Sequence, residues 1–210
     1  GYYNSPVTLE NQTFSELILC NASNSSLDNI TIAGSDSLQN NGLFIYYTNN
    51  SNLTKIVSND NYYGIYIYHS SSLTLRNSSM EGNGEYNFYI YGSILGHYIH
   101  NIDTSNLVEG KPIYYLLSKQ DQEINTSTNA GFVALVNCTN ITVKGLNVST
   151  KIYPAGIFLY NTNSSRIENV TSMYNSGGIY ISSSTSNNIT NVTVMNNGEG
   201  VEMWYSNYTI

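Results

Sequence analysis

The chain has 210 residues, 40% of them hydrophobic and only 10% Asp, Glu, Lys or Arg, against roughly 25% in an ordinary soluble domain. Fourteen scattered acids and seven bases give a net charge of -7, and without a basic stripe to release counterions the composition argues against nucleic-acid binding. Aromatic and β-branched residues recur throughout, which argues against disorder, and no run approaches the roughly 18 apolar residues of a membrane span.

Gly1 opens the chain with neither Met nor a signal peptide, so it reads as a processed or excerpted polypeptide. Residues 1–16, with Pro6 and two tyrosines, are expected to form an N-terminal extension or cap, and residues 17–210 one repeat domain. Leu17-Ile18-Leu19 begins a series of short strands. Gly42-Leu43-Phe44-Ile45-Tyr46 and Gly64-Ile65-Tyr66-Ile67-Tyr68 show its alternating pattern most clearly, one period of about 22 residues apart. Asn87-Phe88-Tyr89-Ile90-Tyr91 continues it, then Ile113-Tyr114-Tyr115 less regularly, then the segments starting at Gly131, Gly156, Gly178 and Gly200. About ten residues after each strand comes a second short apolar pair, as in Leu53-Thr54-Lys55-Ile56, Ile141-Thr142-Val143, Ile167-Glu168-Asn169-Val170 and Ile189-Thr190-Asn191-Val192. Clusters such as Asn59-Asp60-Asn61 and Asn196-Asn197-Gly198 supply the turns between them. The last residues, 204–210, stop partway through a period, which reads as an open strand edge awaiting more chain or another subunit.

Strands of three to five residues cannot bury a face alone, so the repeats must stack. The expected fold is all-β, a right-handed parallel β-helix (solenoid) of about eight rungs, each bonded to neighbours roughly 4.8 Å away. Helical repeats fail because Asn, Gly and Thr recur too often, and a β-sandwich is the alternative. Alternation sends Leu43, Ile45, Ile65, Ile67, Phe88, Ile90, Phe132, Ala134, Ile157, Leu159, Ile179, Ile181, Val201 and Met203 inward. Cys20 and Cys138 then lie about five rungs apart, on the order of 24 Å, beyond disulfide reach, and are expected as free buried thiols.

These repeats resemble the pectate-lyase-like parallel β-helix superfamily, especially archaeal surface proteins with carbohydrate-binding and sugar-hydrolase (CASH) type repeats. Asn106-Leu107-Val108-Glu109-Gly110-Lys111-Pro112-Ile113-Tyr114-Tyr115-Leu116 is similar to a recurrent block of those proteins, with Ala130-Gly131-Phe132 and Val136-Asn137-Cys138-Thr139-Asn140-Ile141-Thr142-Val143 following. The chain also resembles the periplasmic β-helix proteins of nitrous-oxide reductase maturation. The resemblance implies fold far more than activity, since one scaffold serves lyases, hydrolases, adhesins and surface layers.

Catalytic chemistry is hard to place. Asp60, Glu81 and Asp103 fall about one period apart but at different offsets and on alternating faces, so they read as solvated acids, with Arg76 and Arg166 away from any acid pair. Glycoside hydrolysis needs two carboxyls about 5–9.5 Å apart, and none can be nominated. His97 and His100 are three residues apart, with His69 about one rung earlier; strand geometry puts them on opposite faces, so no metal is expected. Met173 and Met195 read as a stacked core pair. The chain is thus expected to be no enzyme and to need no cofactor.

Two features stand out. Asn-X-Ser/Thr sequons, about sixteen of them, begin at Asn11, Asn21, Asn24, Asn29, Asn49, Asn52, Asn77, Asn125, Asn137, Asn140, Asn147, Asn163, Asn169, Asn188, Asn191 and Asn207 and predict covalent N-glycans, though β-helix turns also favour Asn on their own account. Secondly, Phe44, Tyr66, Tyr89, Tyr114, Phe158 and Tyr180 form one outward aromatic column and Tyr46, Tyr68, Tyr91, Tyr160 and Trp204 another. Cross-strand stacking explains such columns in part, but a stripe this long exceeds the apolar patch a monomer normally exposes. The expectation is an extracellular, N-glycosylated structural or adhesive cell-surface protein (surface layer, sheath or filament), self-associating or packing on a neighbouring protein through that stripe. The alternative is a polysaccharide-binding or polysaccharide-degrading β-helix.

Overall fold

The computed structural model describes residues 1–34 and 36–207. The architecture is the expected one: all-β, with parallel β-solenoid coils in two compact units, 1–110 and 111–210, and about nine turns in all at a spacing of about 22 residues.

In the first unit one sheet runs through Tyr2–Tyr3, Leu17–Cys20, Asn41–Tyr46, Tyr63–Tyr68 and Tyr86–Tyr91, every neighbour parallel. Its second sheet runs through Thr8–Phe14, Ser26–Ile32 and Asn52–Ser58, and then through the shorter Thr74–Arg76 and Ser79–Met80. Residues 1–16 thus enter both sheets as the first coil. Each coil alone would leave its apolar face wet; stacked, Leu17, Leu19, Leu43, Ile45, Ile65, Ile67, Phe88 and Ile90 lie fully inside. The glycines near the start of two of these strands have a steric cause: a Cβ on Gly42 would meet the Gly64 carbonyl oxygen at 2.3 Å, and one on Gly64 the Asn87 carbonyl oxygen at 2.3 Å.

In the second unit the first sheet is Lys111–Leu117, Phe132–Val136, Ala155–Tyr160, Gly177–Ser182 and Glu199–Trp204. Two further sheets close the coil, one through Gln120–Ile124, Thr139–Lys144, Arg166–Glu168 and Asn188–Thr190, the other through Asn147–Val148, Thr171–Met173 and Thr193–Met195. Here one inward assignment is corrected. Val133 and Leu135, not Phe132 and Ala134, join Ile157, Leu159, Ile179 and Ile181 in the core, because Val133 pairs with Ile157. All five residues of Phe132–Val136 are apolar and buried, so alternation carried no signal there, and a slip of one residue exchanges the faces. Val201 and Met203 keep the expected register against Ile179 and Ile181 but are partly exposed. Met173 and Met195 pair as expected but point outward, Met195 being half exposed, rather than forming a core ladder.

Candidate functional site

The aromatic columns of the first unit stand where alternation put them. Phe44 pairs with Tyr66 and Tyr66 with Tyr89; Tyr46 pairs with Tyr68 and Tyr68 with Tyr91. The Phe44–Tyr66 and Tyr66–Tyr89 ring centroids are 4.7 and 3.9 Å apart, and Tyr46–Tyr68 and Tyr68–Tyr91 are both stacked at 5.3 Å. Near-parallel rings at that distance are too close to lie side by side in the sheet plane, so they overlap in offset stacks that leave edges and hydroxyls outward. Most of the rings are half-buried, and Tyr91 is exposed. Burial raises the Tyr66 phenol and lifts Tyr63, which adjoins Tyr66, Tyr86 and Tyr89, to about 12.

Two flanking columns were not anticipated. Tyr63 and Tyr86 pair on one side of the stripe. On the other, Tyr47 and His69 occupy the left-handed corner position just after the strand, with φ of 46° and 47°. The available signal was that Tyr47 precedes His69 by the same 22 residues that separate Phe44 from Tyr66 and Tyr46 from Tyr68. His69 Nδ1 lies 3.0 Å from the Tyr47 hydroxyl, while its Nε2 is buried without a hydrogen-bond partner. His97 caps this column, its ring parallel to His69 within 13° at 4.8 Å. It reaches that place by folding over Gly92, where a Cβ would strike the His97 Cβ at 2.2 Å. The third histidine goes elsewhere: His100 is buried, and burial pulls its pKa down to about 4.

The stripe does not continue through the second unit. Tyr114 is corrected from outward to inward, because it pairs with Val133 and packs on the core; Ile113 and Tyr115 take the outward positions and are themselves buried. Phe158 faces outward opposite Tyr180 at 5.7 Å, yet it is fully buried. Tyr160 and Tyr180 are half-buried, and Trp204 is exposed.

Of the sequon asparagines, Asn11, Asn21, Asn24, Asn29, Asn77, Asn137, Asn140, Asn169 and Asn191 hold left-handed backbone at coil corners, which Asn tolerates better than most residues. Asn49, Asn125 and Asn163 are half-buried and the others exposed; of the last sequon, Tyr208 and Thr209 lie outside the described residues, as does Ile210. Several of these amides pair between coils, as in Asn29 Nδ2 donating to Asn11 Oδ1 at 2.7 Å. Both cysteines are free, but only Cys138 is buried, where desolvation pushes its thiol pKa up; Cys20 is half-buried. Arg76 is not isolated: its Nε contacts Asp103 at 2.9 Å, because a longer coil carries Asp103 over to it. Glu199 and Glu202 bear on each other, and burial followed by the Glu199 charge raises the Glu202 pKa. Among the described residues no three His, Cys, Asp or Glu side chains assemble as a metal-ligand set, and no helix is long and apolar enough to cross a membrane.

Stacked parallel coils with polar corners and an aromatic outer ladder define a parallel β-helix repeat protein. Residues 96–210, more than half of the chain, match the family described as periplasmic copper-binding protein (NosD), and the chain belongs to that family. The tyrosine face of residues 41–91 lies outside the matched segment. No curated protein and no solved structure matches the chain.

Proposed function

We propose that this chain is a non-catalytic, extracytoplasmic structural or adhesive protein, N-glycosylated at a cell surface, whose tyrosine face packs against another copy of the chain or a neighbouring surface protein. The observation that carries this is the pair of ring ladders, Tyr46, Tyr68 and Tyr91 stacked and Phe44, Tyr66 and Tyr89 packed at a tilt beside them. Such rings present rigid, amphipathic contact area at a low entropic cost. Polysaccharide stacks on open ring faces, and these faces are largely taken by the coils above and below. The periplasmic description of the family supports a place outside the cytoplasm, and the exposed corner sequons support glycans.

The family description also names copper, and the donors of this chain do not fit a copper centre. His100 Nε2 donates to the His97 carbonyl at 3.0 Å while its Nδ1 accepts from the Leu73 N–H at 3.3 Å, so both nitrogens are spent. His97 Nδ1 accepts from the Ser93 N–H at 3.1 Å, which leaves the ring proton on Nε2. His69 Nε2 has no hydrogen-bond partner, but even in the tautomer that leaves it a lone pair the parallel His97 ring beside it offers no second donor converging on one ion. The Cys138 thiol is turned onto the Leu116 and Val136 carbonyls.

Replacing Tyr66, Tyr68 and Tyr89 together with Ser tests the proposal. Electron microscopy and sedimentation of natively produced protein are expected to show assemblies that the triple variant does not form, with its circular dichroism unchanged. Assembly that survives, with glycan binding lost, would favour the polysaccharide reading instead. Intact mass checks the glycans: a natively produced chain at the bare 23.3 kDa would remove them.

A further inference from the structure

The loop after Tyr91 is held by bonds of an unusual kind for this fold. Elsewhere a backbone N–H at a coil corner is met by a side-chain oxygen from the next coil: Ser25 N–H by Ser51 Oγ at 3.0 Å, Ile141 N–H by Ser165 Oγ at 3.0 Å, Ser165 N–H by Asn187 Oδ1 at 2.9 Å. In the same column as Ser25 and Ser51, the Leu73 N–H is met instead by His100 Nδ1. Within the loop, the Ser93 N–H is met by His97 Nδ1. A hydroxyl or amide oxygen accepts at any ordinary pH. An imidazole nitrogen accepts only while unprotonated, because protonation turns it into a donor facing a donor.

We propose that residues 92–100 form an acid-released clasp, in which protonation of His97 and His100 breaks the Ser93 and Leu73 bonds together and frees the loop from the end of the tyrosine ladder. The two histidines are coupled, since His100 Nε2 donates to the His97 carbonyl and loss of either ring's position disturbs the other. Within the loop, Tyr98 both donates to the Gly92 carbonyl, at 2.7 Å, and accepts from its N–H, at 3.0 Å, which holds the loop as a body, and the Ser72 N–H donating to the Ile99 carbonyl at 2.7 Å is a backbone tie about which it can swing. The titratable groups facing His97 are His69, parallel to it at the end of Tyr63–Tyr68, and Tyr68 and Tyr91, which stack on His69. Those charged on the strands beside His100 are Arg76 and Asp103, already paired with each other. Burial and the neighbouring histidines, rather than a carboxylate, shift the two rings, and a charged His69 would repel a charged His97. Burial lowers the pKa of both rings, and His69 lowers that of His97 further, which keeps the clasp shut at neutral pH. Opening would uncover His69, on whose ring His97 lies.

Site-resolved amide hydrogen exchange on the intact chain, corrected for the intrinsic pH dependence of exchange, tests this. Between pH 7 and pH 4 the protection of the Ser93 and Leu73 amides is expected to fall at least tenfold. The Ser25 and Ile141 amides, with the same kind of bond to a hydroxyl, are expected to hold. A double variant, His97→Gln with His100→Asn, supplies acceptors that do not titrate and is expected to lose the pH response. Constant protection of Ser93 and Leu73 in the wild-type chain overturns the clasp, and so does an equal loss at Ser25 and Ile141, which would mean general acid unfolding. The wild-type comparison decides the matter even if the double variant fails to fold.

Discussion

The outer faces of the two units' first sheets come from one alternating pattern and have opposite fates. Phe44, Tyr66 and Tyr68 remain half-buried, whereas Ile113, Tyr115, Phe132, Ala134, Val136 and Phe158 are buried. Alternation decides which side of a strand a residue takes, but chemistry decides whether that side can stay wet. The wet side is mostly tyrosine, whose hydroxyl water satisfies, and the buried side is mostly Phe, Ala, Val and Ile, which carry nothing of the kind; Phe44 and Tyr115 are the exceptions on the two sides. Truncating Phe158 to Ala is therefore expected to cost about 3–5 kcal/mol, and truncating half-buried Phe44 about 1 kcal/mol. Denaturant midpoints of the two variants check this, and equal losses would erase the contrast.

Acid is expected to act next most strongly, chiefly through His100 in the first unit; in the second, Glu123, whose carboxyl Lys144 holds below its ordinary pKa, is exposed and adds little. His100 has a folded pKa depressed to about 4, first by burial, against about 6.5 in an unfolded chain. Above about pH 6.5 both states hold it neutral and stability is at its full value. As pH falls from there towards 4 the unfolded chain takes up the proton first, and about 3 kcal/mol is lost progressively before the curve flattens. Chemical denaturation at several pH values measures it. His100→Asn is expected to flatten the profile, and a slope unchanged by that substitution would place the acid sensitivity elsewhere.

What the units share is as instructive as what separates them. In the first, Asn61 Nδ2 donates to the Ile32 carbonyl at 3.2 Å, Ser58 Oγ at 3.2 Å and the Asn59 carbonyl at 3.0 Å, and Ser58 Oγ donates to the Gly64 carbonyl at 2.7 Å. In the second, Asn175 does the same with Val148 at 2.8 Å, Ser172 at 3.1 Å and Met173 at 3.0 Å, and Ser172 with Gly178 at 2.9 Å. Both asparagines are buried, so the bracket satisfies backbone groups that the turn takes out of water. Asn61→Ala and Asn175→Ala should each cost about 2 kcal/mol, mostly through the orphaned carbonyls. Similar losses in thermal or denaturant melts would confirm one device used twice; a neutral Asn175→Ala would confine it to the first unit.

The sequence made the coil legible because its period of about 22 residues and its Gly-opened alternating strands are strong local signals. It made the tyrosine columns of residues 44–91 legible for the same reason. It failed at Phe132–Val136 and Tyr114, where consecutive apolar residues suit either register and a coil shorter than the period, pairing Ile113 with Phe132, moved the frame. It failed at His97, whose place beside His69 depends on a turn of irregular backbone over Gly92 that no periodicity announces. The Ser-Asn-Gly bracket was visible only as a turn cluster, because its meaning lies in bonds to a neighbouring coil.

The smallest expected effect probes how tightly the tyrosine face is packed. Tyr63 touches Tyr62, Tyr66, Tyr86 and Tyr89 at 4.7–6.0 Å, and burial, aided by Tyr62 and Glu85, raises its phenol to about 12. Because the folded state disfavours the phenolate, this contribution is intact below about pH 10, the ordinary tyrosine value, and is lost as pH rises towards 12. Ultraviolet absorbance titration should therefore show a late-ionising tyrosine that Tyr63→Phe removes. Substituting a coil neighbour, as in Tyr86→Ser, should bring the same ionisation earlier by opening one side of the ring to water. If Tyr63 ionises with the bulk of the tyrosines in the folded chain, its ring is solvated. The first unit's outer face would then be a loose fringe rather than a preformed surface, and the contrast with the buried face around Phe158 would be one of packing as well as chemistry.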